Sequence, residues 1–291
     1  MIKKTTYKLI LILLVITILI LAGIKAFHHN DYNPNLKIPI LAYHHIANDL
    51  KDEGTTVTPQ KFYEDMLYLK DIGYETISFK NLVDYKNGDA KIPTKPIIIT
   101  FDDGYESNYT YAYPILKKLN LKATISIIGW SVGQNKYPET GKPIIPHFTW
   151  AQAKEMYDSG LVDIQYHSYD LHNDGDGTEI RKGGVIKKGE NIDDYKQVLA
   201  NDFNKLKNLI KLNIGNEVFV YTYPYGVFDS TSESIIKEMG CKVSLSTQNG
   251  VNKISDGIFM MKRINVSNKV SSSELFNEIQ KMLDQQNVPQ T

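Results

Sequence analysis

The chain has 291 residues, 42% of them hydrophobic, and 33 basic side chains offset 33 acidic ones, so no net field favours a polyanionic partner. All but two of the basic residues, Arg181 and Arg263, are lysine, which argues against the arginine-fork recognition typical of nucleic-acid readers. The single cysteine, Cys241, excludes an internal disulfide and a thiolate metal centre, so any metal here must be held by histidine and carboxylate.

Lys3, Lys4 and Lys8 precede an uncharged apolar run over residues 9–24, the pattern of an export signal or an uncleaved signal anchor. A helix over that run spans about 24 Å at about 1.5 Å per residue, enough to cross only if Tyr7 and Lys25 sit at the interfaces. Residues 1–27 are therefore expected to be an anchor in the cytoplasmic membrane, or a cleaved signal peptide with the cut after Ala26. Either places the rest of the chain outside the cell. Residues 28–37, with Asn33-Pro34-Asn35, read as a linker, 38–285 as one domain and 286–291 as a tail.

Within the domain, residues 38–43 read as a buried strand ending at His44-His45. Thr58, Pro59 and Gly73 bracket a helix over 59–72. A short strand is expected at 74–78, a short helix at 81–86 and a continuous apolar strand at 96–101, of the kind buried on both faces. Further on, helices are expected at 111–119, 150–159, 193–212, 230–239 and 272–283. Strands are expected between them at 123–128, 162–166, 218–222, 242–246 and 258–264. This alternation predicts parallel βαβ units with right-handed crossovers. The count favours an α/β fold of the (β/α) barrel type, incomplete or distorted, with about seven parallel strands. Two loops, 131–148 and 172–192, are long for a compact domain, and both follow strands, on the side where barrels carry their chemistry.

Four polar clusters stand at the ends of predicted strands: Tyr43-His44-His45, Asp102-Asp103-Gly104, His167 with His172, and Tyr221-Thr222-Tyr223-Pro224-Tyr225-Gly226. Each alone has a bland reading. Asp-Gly is a common turn pair, and a histidine pair in a loop is ordinarily solvated. In a barrel, however, all four share one rim. Adjacent carboxylates at the end of a buried strand need a cation, a proton or good donors. One aspartate and two imidazoles would leave coordination positions open, as in a catalytic metal site.

Thr100-Phe101-Asp102-Asp103-Gly104, His167-Ser168 with His172, and the Tyr-Pro-Tyr-Gly turn at 223–226 make residues 36–285 resemble the polysaccharide deacetylase (NodB-homology) family, carbohydrate esterase family 4. The resemblance implies Asp102 as catalytic base and Asp103, His167 and His172 as ligands of a divalent ion, zinc first, with nickel, cobalt or iron as alternatives. Three departures narrow it. The histidines are five apart rather than four, Thr222 stands where the family has arginine, and no histidine follows His172. All three resemble the circularly permuted branch that deacetylates poly-β-1,6-N-acetylglucosamine in biofilms. By that resemblance Leu41-Ala42-Tyr43-His44-His45 supplies the acid, His44, with His45 the alternative.

The resemblance also assigns the backbone N–H of Tyr225 to the oxyanion, and Arg263, late in the chain, is a candidate to hold Asp102 ionised. Tyr43, Tyr105, Trp130, Trp150, Tyr169, Tyr223 and Tyr225 are candidate sugar platforms, each with core packing as its plainer reading. The expectation is an extracellular, metal-dependent N-deacetylase of an N-acetylglucosamine polysaccharide, monomeric and without nucleic acid as partner. A peptidoglycan deacetylase, an acetyl esterase and an inactive wall-binding relative are the alternatives. A glycoside hydrolase needs two carboxylates about 5 to 9.5 Å apart and would leave the histidine pair without a role.

Overall fold

The computed structural model describes residues 4–29, 32–49 and 54–285, in which strands and helices alternate as the sequence pattern requires. Helix α1 (Lys4–His29) carries the N-terminal apolar run, and its described side chains, Tyr7 to Leu19, are exposed. Among the described residues no helix is long and apolar enough to cross a membrane. The run expected over 9–24 continues past the last described side chain of that helix. The tail expected at 286–291 lies outside the described residues, as do residues 30 and 31 of the expected linker.

The domain proper runs β1 (Ile40–Tyr43), α2 (Pro59–Asp71), β2 (Glu75–Thr76), α3 (Phe79–Lys86), β3 (Pro96–Phe101), α4 (Tyr113–Leu119) and β4 (Ala123–Ile128). It continues through α5 (Trp150–Asp158), β5 (Val162–Ser168), α6 (Ile192–Asn213), β6 (Val220–Thr222), α7 (Ser230–Glu238), β7 (Val243–Leu245), β8 (Ile264–Asn265) and α8 (Ser272–Gln285). Seven strands pair in the order β7-β6-β5-β4-β3-β1-β8, with β2 on β3 beside that path, and every pairing is parallel. Parallel neighbours joined by helices make a curled sheet, an incomplete (β/α) barrel, with all the strand C-termini on one rim.

Helix starts follow local capping chemistry. Thr58 accepts from Lys61 N–H, and Ser78, Thr149 and Asp229 each form a reciprocal capping box. All six residues of β3 are buried, as expected for a strand covered on both faces. Alternation sends Ile97, Ile99 and Phe101 into the core shared with the helices, and Ile98 into a second core with Ile40, Val220, Val243 and Leu245. Thr100 and Asp102 continue the Ile98 face towards the rim.

The strand expected over 258–264 is a correction. Only Ile264–Asn265 pairs with β1, while Met261 bridges to Leu245 of β7. Met260, just before that bridge, adopts φ 52°, which breaks the extended run. The segment thus meets β7 and β1 without forming one continuous strand. The helix expected from 111 likewise begins with a π-helical turn, Asn108–Ala112, before α4.

Candidate metal and catalytic site

The chemistry collects where β3 ends. Asp102 N–H donates to Tyr43 O at 3.0 Å, extending the ladder by one residue and keeping Asp102 on the face of Thr100. The chain then turns: Asp103 takes φ 71° and Gly104 φ 84°. Left-handed backbone at a non-glycine residue costs about 1–3 kcal/mol and persists only where its surroundings enforce it. Here it sets two adjacent side chains, which a strand would send to opposite faces, on one site.

Asp102 is 3% exposed and faces Arg263, whose Nη1 and Nη2 donate to its two oxygens at 2.8 Å each. The guanidinium is itself aimed by Nε donating to Ser246 O at 2.9 Å. Burial alone would push the Asp102 carboxyl up. The Arg263 charge and hydrogen bonds, helped by His167 and His44, outweigh it and hold the group far below the usual carboxylate range. His44 Nε2 lies 3.7 Å from Asp102 Oδ2. His45 turns elsewhere, with Nδ1 2.9 Å from Ser107 Oγ and its ring edge-on to Tyr105.

Asp103, His167 and His172 bring one ligand atom each within 4.8 Å of one another. His167 Nε2 is 3.5 Å and His172 Nε2 3.4 Å from Asp103 Oδ1. That oxygen is buried and, among the described residues, has no hydrogen-bond partner. His167 Nδ1 donates to Thr222 O at 2.8 Å, which orients the ring with Nε2 towards Asp103. Strand β5 runs through Ser168, so His167 stands on the strand rather than in the exit loop expected from sequence. Burial, with His167 beside it, pushes His172 down to about 4, so its imidazole is neutral near pH 7. A carboxylate and two imidazoles converging through an oxygen with no donor among the described residues fit a borderline divalent cation.

A cleft of about 670 Å³ opens beside this trio, walled by Tyr105, Trp130, Tyr137, His147, Tyr169 and Tyr225 among others. Trp130 and Tyr137 stack with centroids 5.5 Å apart and planes at 21°. Tyr225, at φ 57°, lays its half-exposed ring against His172 at 4.5 Å. Tyr169 lines the cleft with one face covered by Lys205 Nζ at 3.7 Å. Burial and the Asp103 carboxylate push the Tyr105 phenol far above its usual range, so it stays an O–H donor.

Three of the expected sugar platforms lie elsewhere. Tyr43 and Tyr223 are fully buried, their hydroxyls donating to Asp65 on α2 and Glu233 on α7. Trp150 begins α5, half-buried against the core and outside the cleft lining. Sequence reasoning missed His147 and Tyr137. His147 packs on Tyr105 at 5.0 Å, and neither ring nitrogen has a well-aligned hydrogen-bond partner among the described residues. Burial pushes it down to about 4. The only signal for either was their place in the long 131–148 loop.

Three comparisons bear on this geometry. The sequence model of the polysaccharide deacetylase family matches residues 89–244, a stretch that includes Asp102, Asp103, His167, His172 and Tyr225 but neither His44 nor Arg263. YxkH of Bacillus subtilis (strain 168), whose name places it with the polysaccharide deacetylases, is 30% identical over 248 residues, 84% of this chain and 77% of YxkH. The poly-beta-1,6-N-acetyl-D-glucosamine N-deacetylase of Staphylococcus aureus (strain MRSA252) is 27% identical over 88% of this chain and 92% of its own length. Among solved structures, the de-N-acetylase from Aggregatibacter actinomycetemcomitans superposes with a TM-score of 0.72 at 27% identity, covering 83% of this chain and 99% of that one.

Proposed function

The chain belongs to the polysaccharide deacetylase family, hydrolases of carbon–nitrogen bonds other than peptide bonds, and from that premise we propose that it is a metal-dependent N-deacetylase of poly-β-1,6-N-acetylglucosamine. The observation that carries the reading is the split between two adjacent carboxylates, Asp102 on Arg263 and Asp103 on two imidazoles. The polymer and its linkage are supported by the activity named for the Staphylococcus aureus relative. Three lysines followed by an apolar run support an outward-facing enzyme on an N-terminal anchor.

Asp103, His167 and His172 would hold the divalent ion, zinc being the first choice for an Asp/His/His donor set. Bound there, the ion would polarise the acetamide oxygen and acidify water enough for a base as weak as Asp102. Asp102, kept ionised by Arg263, accepts the proton of the attacking water. The water oxygen adds to the acetamide carbon, and the Tyr225 N–H donates to the oxyanion that forms. His44, on the other side of Asp102, delivers a proton to the departing nitrogen as the carbon–nitrogen bond breaks. The products are acetate and the free amine of glucosamine. The Trp130–Tyr137 pair and the Tyr105 ring offer the apolar faces on which sugar rings pack.

Acetate release from β-1,6-linked and β-1,4-linked N-acetylglucosamine oligomers, with and without chelator, tests the reading. Chelator-sensitive release favouring the β-1,6 oligomer is expected. Release that survives complete metal removal ends the metal-dependent reading, and preference for the β-1,4 oligomer ends the assignment of linkage.

A further inference from the structure

The turn that carries His172 back towards His167 is held from two sides. On one, Gly129 N–H donates to Ser168 O at 2.8 Å and Trp130 N–H to Tyr169 O at 3.1 Å. Gly129 permits that approach, since a Cβ there would meet Tyr169 Cδ2 and Leu206 Cδ1 at 2.8 Å. On the other side stands Asp202 of α6, 8% exposed. Its Oδ1 accepts the N–H of Tyr169 at 2.7 Å and its Oδ2 accepts the N–H of Asp170 at 2.7 Å. The Tyr166 hydroxyl donates to Oδ1 as well.

Three donors on one buried carboxylate, two of them consecutive backbone amides, form a clamp rather than a chance contact. Only Leu171 separates the clamped residues from His172. Strand β5 fixes His167, but nothing in the strand geometry brings His172 back to the same point, since its Cα lies beyond the strand's end. The clamp supplies that return.

We propose that Asp202 is the positioning residue for His172: by fixing the turn at 169–170 it pre-sets His172 Nε2 beside Asp103 Oδ1 and so raises the affinity of the trio for a divalent cation. The proposal rests on the reading of Asp103, His167 and His172 as a metal site. Its physical basis is preorganisation, because a ligand already in place loses less conformational freedom when the ion binds.

The test is a zinc titration of the metal-stripped full chain, by calorimetry or competition with a chromophoric chelator, on the wild type, Asp202→Asn, His172→Ala and the double variant. Asparagine keeps the shape but turns an NH2 towards one of the two backbone amides. Asp202→Asn is expected to weaken zinc binding about tenfold to a hundredfold, the range for residues that orient ligands. In the His172→Ala background the same substitution is expected to change zinc affinity by less than about twofold, because the group it acts through is gone. Equal weakening in both backgrounds would mean a general structural role and overturn the proposal, as would unchanged affinity in Asp202→Asn alone. A wild type that binds no zinc overturns the metal-site reading and this proposal together. Normal wild-type binding with an unaffected variant overturns only the role of Asp202. If Asp202→Asn does not fold, Asp202→Glu, which keeps both acceptors on a longer stem, is read through the same cycle with the same two outcomes.

Discussion

Replacing Arg263 with methionine removes the guanidinium from Asp102 while keeping most of the side-chain volume. The carboxylate would then stand 3% exposed without the two 2.8 Å hydrogen bonds that compensate it, and Ser246 O would lose its donor at 2.9 Å. Deleting one partner of a buried pair costs about 3–5 kcal/mol, most of it from the charge left behind. Asp102 can escape part of that cost by binding a proton, because burial, the largest influence on it, pushes its carboxyl up once Arg263 is absent.

The sign follows. In the wild type the folded carboxyl lies below its unfolded value of about 3.9, so its stabilisation is present above that pH and is lost as pH falls through the folded value. In the variant the folded carboxyl lies above the unfolded value. The deficit of Arg263→Met is therefore largest at neutral pH and shrinks towards acid. Urea unfolding at pH 7 and pH 4.5 measures it, with a loss of about 3–5 kcal/mol expected at pH 7. The acid limb of kcat/KM on acetylated oligomers should move upward in pH, since Asp102 must be ionised to take a proton. The double variant Asp102→Asn/Arg263→Met should recover part of the lost stability. A loss under about 1 kcal/mol at pH 7, or a deficit that does not change with pH, would refute the reasoning.

Other predictions are simpler. Chelation should abolish deacetylation, and His167→Ala or His172→Ala should lower bound metal, whereas His44→Ala should keep its metal and lose activity. Equal metal loss in His44→Ala, read by elemental analysis, would cancel the assignment of His44 as acid. Gly226→Ala should destabilise the fold by about 2 kcal/mol or more, because φ is 66° there and the new Cβ would lie 1.9 Å from Thr247 Oγ1. It should also lower kcat/KM by disturbing the Tyr225 turn. Cys241, buried, has its thiol pushed up to about 12, so it is the neutral form at pH 8. Iodoacetamide should label it on unfolding and not before, as mass spectrometry can show.

The strand ends were legible in the sequence, and with them the residues of the site. Asp102, Asp103 and His167 stand where an apolar strand pattern stops, so burial and polarity conflict at those positions. Which face each neighbour would take was not legible. Tyr43 and Tyr223 sit beside site residues in sequence but point away, because their hydroxyl partners, Asp65 on α2 and Glu233 on α7, come from helices. No local pattern announces such pairings. Cleft residues such as His147 and Tyr137 were hidden for a similar reason. An irregular loop has no period, and their positions follow from packing on Tyr105 and Trp130. The break at Met260 belongs to the same class, a tertiary backbone conformation that no propensity foretells.

Asp102 and Asp103 sit one peptide apart at 3% and 6% exposure, and two such carboxylates repel unless each has its own compensation. Arg263 supplies it for the first. For the second, Asp103 Oδ1 has no donor among the described residues and instead faces His167 Nε2 and His172 Nε2. The Nδ1 hydrogen bond of His167 to Thr222 O turns its Nε2 towards Asp103 Oδ1. His172, pushed down to about 4, brings no positive charge near pH 7. Electron-rich atoms gathered this closely in a buried place are unfavourable on their own. A divalent cation would satisfy Asp103 Oδ1 and the His172 lone pair together, which is why the case for metal here rests on the chain's own atoms as well as on its relatives.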